Sequence, residues 1–155
     1  MRKRKSNLVI TTLILSIALT SLAVAYAKPL YGTMALYKPP IGPEHPEWGP
    51  LSWSGTITGD INGNMYFYKT AGLEVGETKH FWEVWLITDE QGDMLLMGTD
   101  KGVVTIANWK YRMNGEVTDA APEYAHLIGH QVHMSGIVIH HSATVKEAPG
   151  TFRVN

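Results

Sequence analysis

The chain has 155 residues, 45% of them hydrophobic, with 13 basic and 14 acidic residues and no cysteine. Without cysteine there are no disulfides, thiolate metal sites or cysteine nucleophiles, so stability has to come from packing. Four basic residues stand at positions 2 to 5, leaving 9 against 14 acidic residues in the remainder, and that net −5 disfavours nucleic acid and anionic lipid as partners of the body.

Arg2-Lys3-Arg4-Lys5 precedes a charge-free stretch from Ser6 to Ala27 that closes on Ala25-Tyr26-Ala27. A basic head, an apolar run and small residues at the last and third-last positions match an export signal cut after Ala27. The same 22 uncharged residues suffice for a spanning helix, so an uncleaved membrane anchor over residues 1–27 is the alternative. In either case the body is expected to be secreted or extracytoplasmic, touching a membrane only through residues 1–27.

Six of the eight prolines precede residue 51, and the run from Pro39 to Pro50 excludes a helix or a central strand. Residues 28–50 are therefore expected to form a Pro-rich extended arm, either a spacer from the membrane or a cover held against the domain by Ile41 and Trp48.

From Leu51 to the C-terminus β-favouring runs alternate with glycine-bearing turns, the pattern of a sandwich or barrel. Candidate strands are Leu51–Thr58, Met65–Thr70, Lys79–Thr88, Met94–Gly98, Val103–Met113, Glu116–Thr118, Ala125–Ser135, Ile137–His141 and Thr151–Val154. Turns are expected at Asn62-Gly63, Gln91-Gly92, Lys101-Gly102, Asn114-Gly115 and Pro149-Gly150. In Val103–Met113 the odd positions form the apolar face. His80-Phe81-Trp82-Glu83-Val84-Trp85-Leu86-Ile87 is apolar on both faces, which fits a barrel strand with an outer cover or a second copy of the chain. The fold expected over residues 51–155 is all-β, a single antiparallel barrel of about eight strands.

Gly98-Thr99-Asp100-Lys101-Gly102-Val103, Asn114-Gly115-Glu116-Val117-Thr118-Asp119-Ala120 and Leu127-Ile128-Gly129 give the second half of the chain a resemblance to the allene oxide cyclase and dirigent type of small β-barrel. The resemblance implies an eight-stranded barrel that holds apolar or phenolic molecules. The turn Ala120-Ala121-Pro122-Glu123-Tyr124-Ala125 lacks the glycines of that family, and no functional residue carries over.

Three groups of residues are candidates for chemistry. The aromatic stock Tyr66, Phe67, Tyr68, Phe81, Trp82, Trp85, Trp109 and Tyr111 can line an apolar ligand cavity, with Tyr68, Trp82, Trp85, Trp109 and Tyr111 the expected ligand-binding residues. Glu83, between Phe81 and Trp85, would be poised as an acid or base if buried, with an ion-paired strand-edge residue as the alternative. His126, His130, His133 and His140 are candidate metal ligands, although strand spacing sets His126 and His130 about 13 Å apart, so a fold-back would be needed. No nucleophile elbow, zinc helix, phosphate loop or dinucleotide fingerprint occurs, and no cofactor is expected. The leading function is an exported or tethered barrel that binds a hydrophobic small molecule. The alternatives are a cyclase or isomerase using Glu83 with a histidine such as His80, and a homo-oligomeric structural module of the cell envelope.

Overall fold

The computed structural model describes residues 28–39 and 44–155; the expected signal or anchor segment lies outside the described residues. The strands are β1 (Leu30–Tyr37), β2 (Glu44–His45), β3 (Gly49–Gly59), β4 (Gly63–Val75), β5 (Thr78–Thr88), β6 (Met94–Thr105), β7 (Lys110–Ala120), β8 (Gln131–Ile137), β9 (Ile139–His140), β10 (Lys146–Glu147) and β11 (Gly150–Val154). Eight of them, in the order β1-β3-β4-β5-β6-β7-β8-β11, close into an antiparallel barrel because β1 pairs with both β3 and β11. Short β2, β9 and β10 decorate its rims.

Strand β1 corrects the division of the chain. Residues 28–50 were expected to be an arm, yet Leu30–Tyr37 is a barrel strand with a strict alternation that buries Leu30, Gly32, Met34 and Leu36. The prolines begin to break the pattern only at Pro39. Farther along, β2 folds onto the rim of β3, and Trp48 stacks on His45 at 3.9 Å and meets the outward ring of Tyr68 edge-on at 5.5 Å. Trp48 thus packs residues 44–50 against the outside of the barrel, whereas Ile41, the other expected contact, lies outside the described residues.

Of the expected turns, Lys101-Gly102, Asn114-Gly115 and Pro149-Gly150 do not act as hairpin tips. Gly102, Gly115 and Gly150 all lie within strands. Gly102 pairs with Phe81 and Gly98 with Trp85, and a Cβ built at either glycine would fall within 2.3 Å of the opposite ring. Glycine here makes room inside a narrow barrel for an aromatic side chain. The run Val103–Met113 is likewise two strands: a turn over residues 106–109 reverses the chain, so Val104 is buried on one side of it, Tyr111 and Met113 on the other. Pro122–Leu127 is a 3-10 turn rather than the start of a strand, and β8 begins only after Gly129 at φ +82°.

The two ends of the barrel differ. At one end Leu30, Ile57, Met65, Ile87, Val132 and Val154 pack together, and Leu127 of the 3-10 turn plugs them. Midway, Trp85 meets Phe152 edge to face at 5.5 Å, the geometry aromatic pairs prefer. Above that pair, toward the C-terminal ends of β1, β4 and β6, the interior is hollow.

Candidate functional site

The hollow end is a cavity of about 530 Å³, walled by Leu36, Trp53, Phe67, Phe81, Tyr111 and Met113. Glu83 is its buried acid, and Lys38 and Lys69 stand at its rim. Each polar group is placed by an identifiable element. Inward Glu83 follows from the alternation of β5, which sends Phe81, Glu83, Trp85 and Ile87 inside and His80, Trp82, Val84 and Leu86 outside. Ser52 sits at a β-bulge, where the register with β4 slips between Leu51 and Trp53. The extra residue re-aims its hydroxyl inward. Ser52 Oγ donates to Glu83 Oε1 at 2.5 Å and also lies 3.0 Å from the Phe67 carbonyl.

Burial of Glu83 raises its pKa to about 7, with the Ser52 hydrogen bond and the Lys69 charge pulling the other way. Opposite Glu83 in register is Asp100, whose pKa is raised to about 9 by burial and then by the neighbouring Glu83 charge. Both oxygens of Asp100 and the indole nitrogen of Trp85 are buried without a hydrogen-bond partner, an uncommon concentration of unsatisfied groups. Asp100 and Trp85 lie behind the cavity wall and do not line it. At the rim, Lys79 is held by Glu74 at 2.6 Å, whereas Lys38 and Lys69 have no ion-pair partner among the described residues. Burial, followed by the charges of Lys146, Lys69 and Lys79, lowers the pKa of Lys38.

Among the aromatic candidates, Tyr111 lines this cavity, and its hydroxyl lies 3.3 Å from the carbonyls of Ala148 and Pro149. Trp85 is wholly buried in packing below it. Tyr68 and Trp82 point outward, Tyr68 into the cluster with His45 and Trp48, and Trp82 into solvent at 41% exposure. Trp109 occupies the β6–β7 turn at φ +56° and packs at 4.1 Å against His140, outside the cavity. Phe67 and Phe81, with Tyr111, are the members of the expected aromatic set that do wall the cavity, and Trp53 is the wall that the aromatic reading missed.

The histidines are not brought together. His126 is on the exposed 3-10 turn, His130 bonds the backbone of Asn155, His133 bonds Asn114 Oδ1 at 2.7 Å, and His140 lies beside Trp109. Among the described residues no group of three or more His, Cys, Asp or Glu is placed to hold a metal ion. His80 reaches the edge of the cavity, but it belongs to the outer face of β5 and its ring lies 3.2 Å from Thr78 Oγ1.

Comparison with known proteins finds no matching family model, no matching curated protein and no matching solved structure.

Proposed function

We propose that this barrel is a binding protein for an apolar small molecule, held in the open end, with its polar group directed at Glu83. The observation that carries the reading is a buried carboxyl facing an apolar cavity of about 530 Å³, a size and lining common to small-molecule sites. With its pKa near 7, Glu83 carries a proton for much of the time at neutral pH and can donate it in a hydrogen bond to a ligand oxygen. Lys38 and Lys69 favour a ligand whose outer end is polar or anionic. Export, or tethering through residues 1–27, and kinship with the allene oxide cyclase and dirigent barrels belong to the same proposal; the closed eight-stranded ring is compatible with that kinship.

An isomerase or cyclase reading is favoured by one feature, the poise of Glu83 near neutrality, which suits a general acid or base. His80 is no partner for it, since the strand pattern of the sequence and the burial along β5 both put His80 on the face opposite Glu83.

The test is titration with the fluorescent apolar anion anilinonaphthalene sulfonate. One probe per barrel is expected to bind, with quenching of indole emission from Trp53. Val138→Trp, which places an indole at the cavity edge, should weaken binding at least ~10-fold at an unchanged melting temperature. A folded wild type that leaves the probe dark would refute the reading.

A further inference from the structure

The outer wall carries a second concavity, unrelated to the cavity inside. A groove of about 620 Å³ crosses β5, β6, β7, β8 and β11, and Lys101, Arg112, Arg153, His80 and His133 all line it without any acidic side chain. This is unexpected on a body of net charge −5. None of Lys101, Arg112 and Arg153 has an ion-pair partner among the described residues, so one third of the nine cations of the body stand unneutralised on one face.

Their placement is linear. Register pairs Trp82 with Lys101, Lys101 with Asn114, Asn114 with His133 and His133 with Arg153, one residue from each strand in turn. At the usual strand spacing that row is about 19 Å long. It begins on the exposed ring of Trp82, and at its far end the Arg153 guanidinium lies over Tyr31, 5.3 Å from the ring centre. Within the row, His133 Nδ1 is tied to Asn114 Oδ1, which leaves Nε2 and the Asn114 amide free to meet a ligand. Arg112 lies in the adjacent row, opposite Val103 and Ser135.

We infer that this outer groove binds a linear acidic polysaccharide laid across the strands. Lys101 and Arg153, three strands apart in the row, with Arg112 in the row beside it, match charges spaced along a polymer, and a groove open to solvent suits an extended chain better than a compact molecule. The intervening amide, imidazole and hydroxyl groups suit sugar hydroxyls, and a flat exposed indole is a platform for a pyranose face. Single-stranded nucleic acid fits less well, since its binders stack successive bases on several aromatic side chains and here Trp82 stands alone at one end, with the Tyr31 ring at the other covered by Arg153. An anionic membrane fits less well because Asn114, His133, Ser135 and Thr151 occupy the ground that apolar anchors would need.

The experiment is calorimetric titration of the full chain with oligogalacturonate long enough to span the row, with Trp emission followed in parallel. Binding is expected that weakens as salt is raised, is absent with a neutral oligosaccharide of the same length, and falls ~10-fold or more in Lys101→Ala/Arg153→Ala. Trp82→Phe should keep most of the affinity and lose the fluorescence response. Melting temperatures and anilinonaphthalene sulfonate binding of the variants serve as controls for the fold. No binding at low salt overturns the inference, as does binding that the double variant leaves intact. Equal or tighter binding of single-stranded DNA, or of phosphatidylserine vesicles, overturns it in favour of those partners.

Discussion

Glu83 and Asp100 face one another from β5 and β6 inside the wall, and both are buried. Their proton affinities make stability depend on pH in a defined direction. A carboxyl whose folded pKa lies above its unfolded value holds its proton more tightly in the folded state. That contribution is complete below the unfolded pKa and is lost as pH climbs through the folded one. For Glu83 the window runs from 4.5 to about 7 and for Asp100 from 3.8 to about 9. Through these two groups the barrel is therefore expected to be most stable at and below about pH 4 and to weaken steadily toward pH 9, by about 3 kcal/mol through Glu83 alone at ~1.4 kcal/mol per pKa unit. Glu83→Gln keeps an oxygen for Ser52 to bond and should roughly halve the fall between pH 5 and 7, because Asp100 loses its own contribution across the same range and on toward pH 9. Urea midpoints measured across pH 4 to 9 check this; a wild type that gains stability over that range would contradict the assignment of both carboxyls as buried acids.

At the level of the strands, large inner side chains are set against glycine on the next strand: Phe81 on Gly102, Trp85 on Gly98, Tyr111 on Gly136. The first two pairs respond differently to the same substitution. The atoms nearest a Cβ at Gly102 belong to side chains, the Phe81 ring at 2.2 Å and Met113 at 2.7 Å, whereas the nearest to one at Gly98 is the Glu116 carbonyl at 2.1 Å. Gly102→Ala should cost about 1 to 3 kcal/mol, the usual range for overpacking, and Phe81→Leu should recover part of it, giving a measurable coupling. Gly98→Ala should not be rescued by shrinking Trp85. Denaturation of the single and double variants decides both. These pairs also explain what was legible in the sequence and what was not. Strand-like patterning gave an all-β barrel of about eight strands, and the alternation His80 to Ile87 divided the faces of β5 correctly. It could not tell a glycine that turns the chain from one that lets a ring, as at Gly102, or the neighbouring backbone, as at Gly115, come close across the sheet, since both carry the same letter beside Lys101 or Asn114. Nor does a bulge leave a trace in local composition, so Ser52 as the partner of Glu83 was invisible. Leu30–Tyr37 did carry a visible alternation, obscured by the prolines that follow it.

Across the whole barrel the ends have separate duties. The plugged end, where Leu127 is buried in the same core cluster as Ile57, Met65 and Val132, supplies packing; the hollow end gives up packing for space. Leu127→Ala should therefore lower stability by about 2 to 5 kcal/mol, as for other buried leucines, while changing the affinity for anilinonaphthalene sulfonate less than ~2-fold. A large loss of affinity in a variant that remains folded would mean that the two ends are coupled and that the plug is part of the site.

The ring is closed by its first strand meeting its last: β1 pairs with β11 and with β3, and β11 also pairs with β8. Until Gly150–Val154 has emerged, the nascent sheet has two open edges, on β1 and β8, each a template for pairing with another chain. More than a hundred residues separate the partners Leu30 and Val154, so this contact is costly in loop entropy and late to form. Such a chain is expected to fold slowly and in one final step, and to be most vulnerable to aggregation in the interval before its last strand docks.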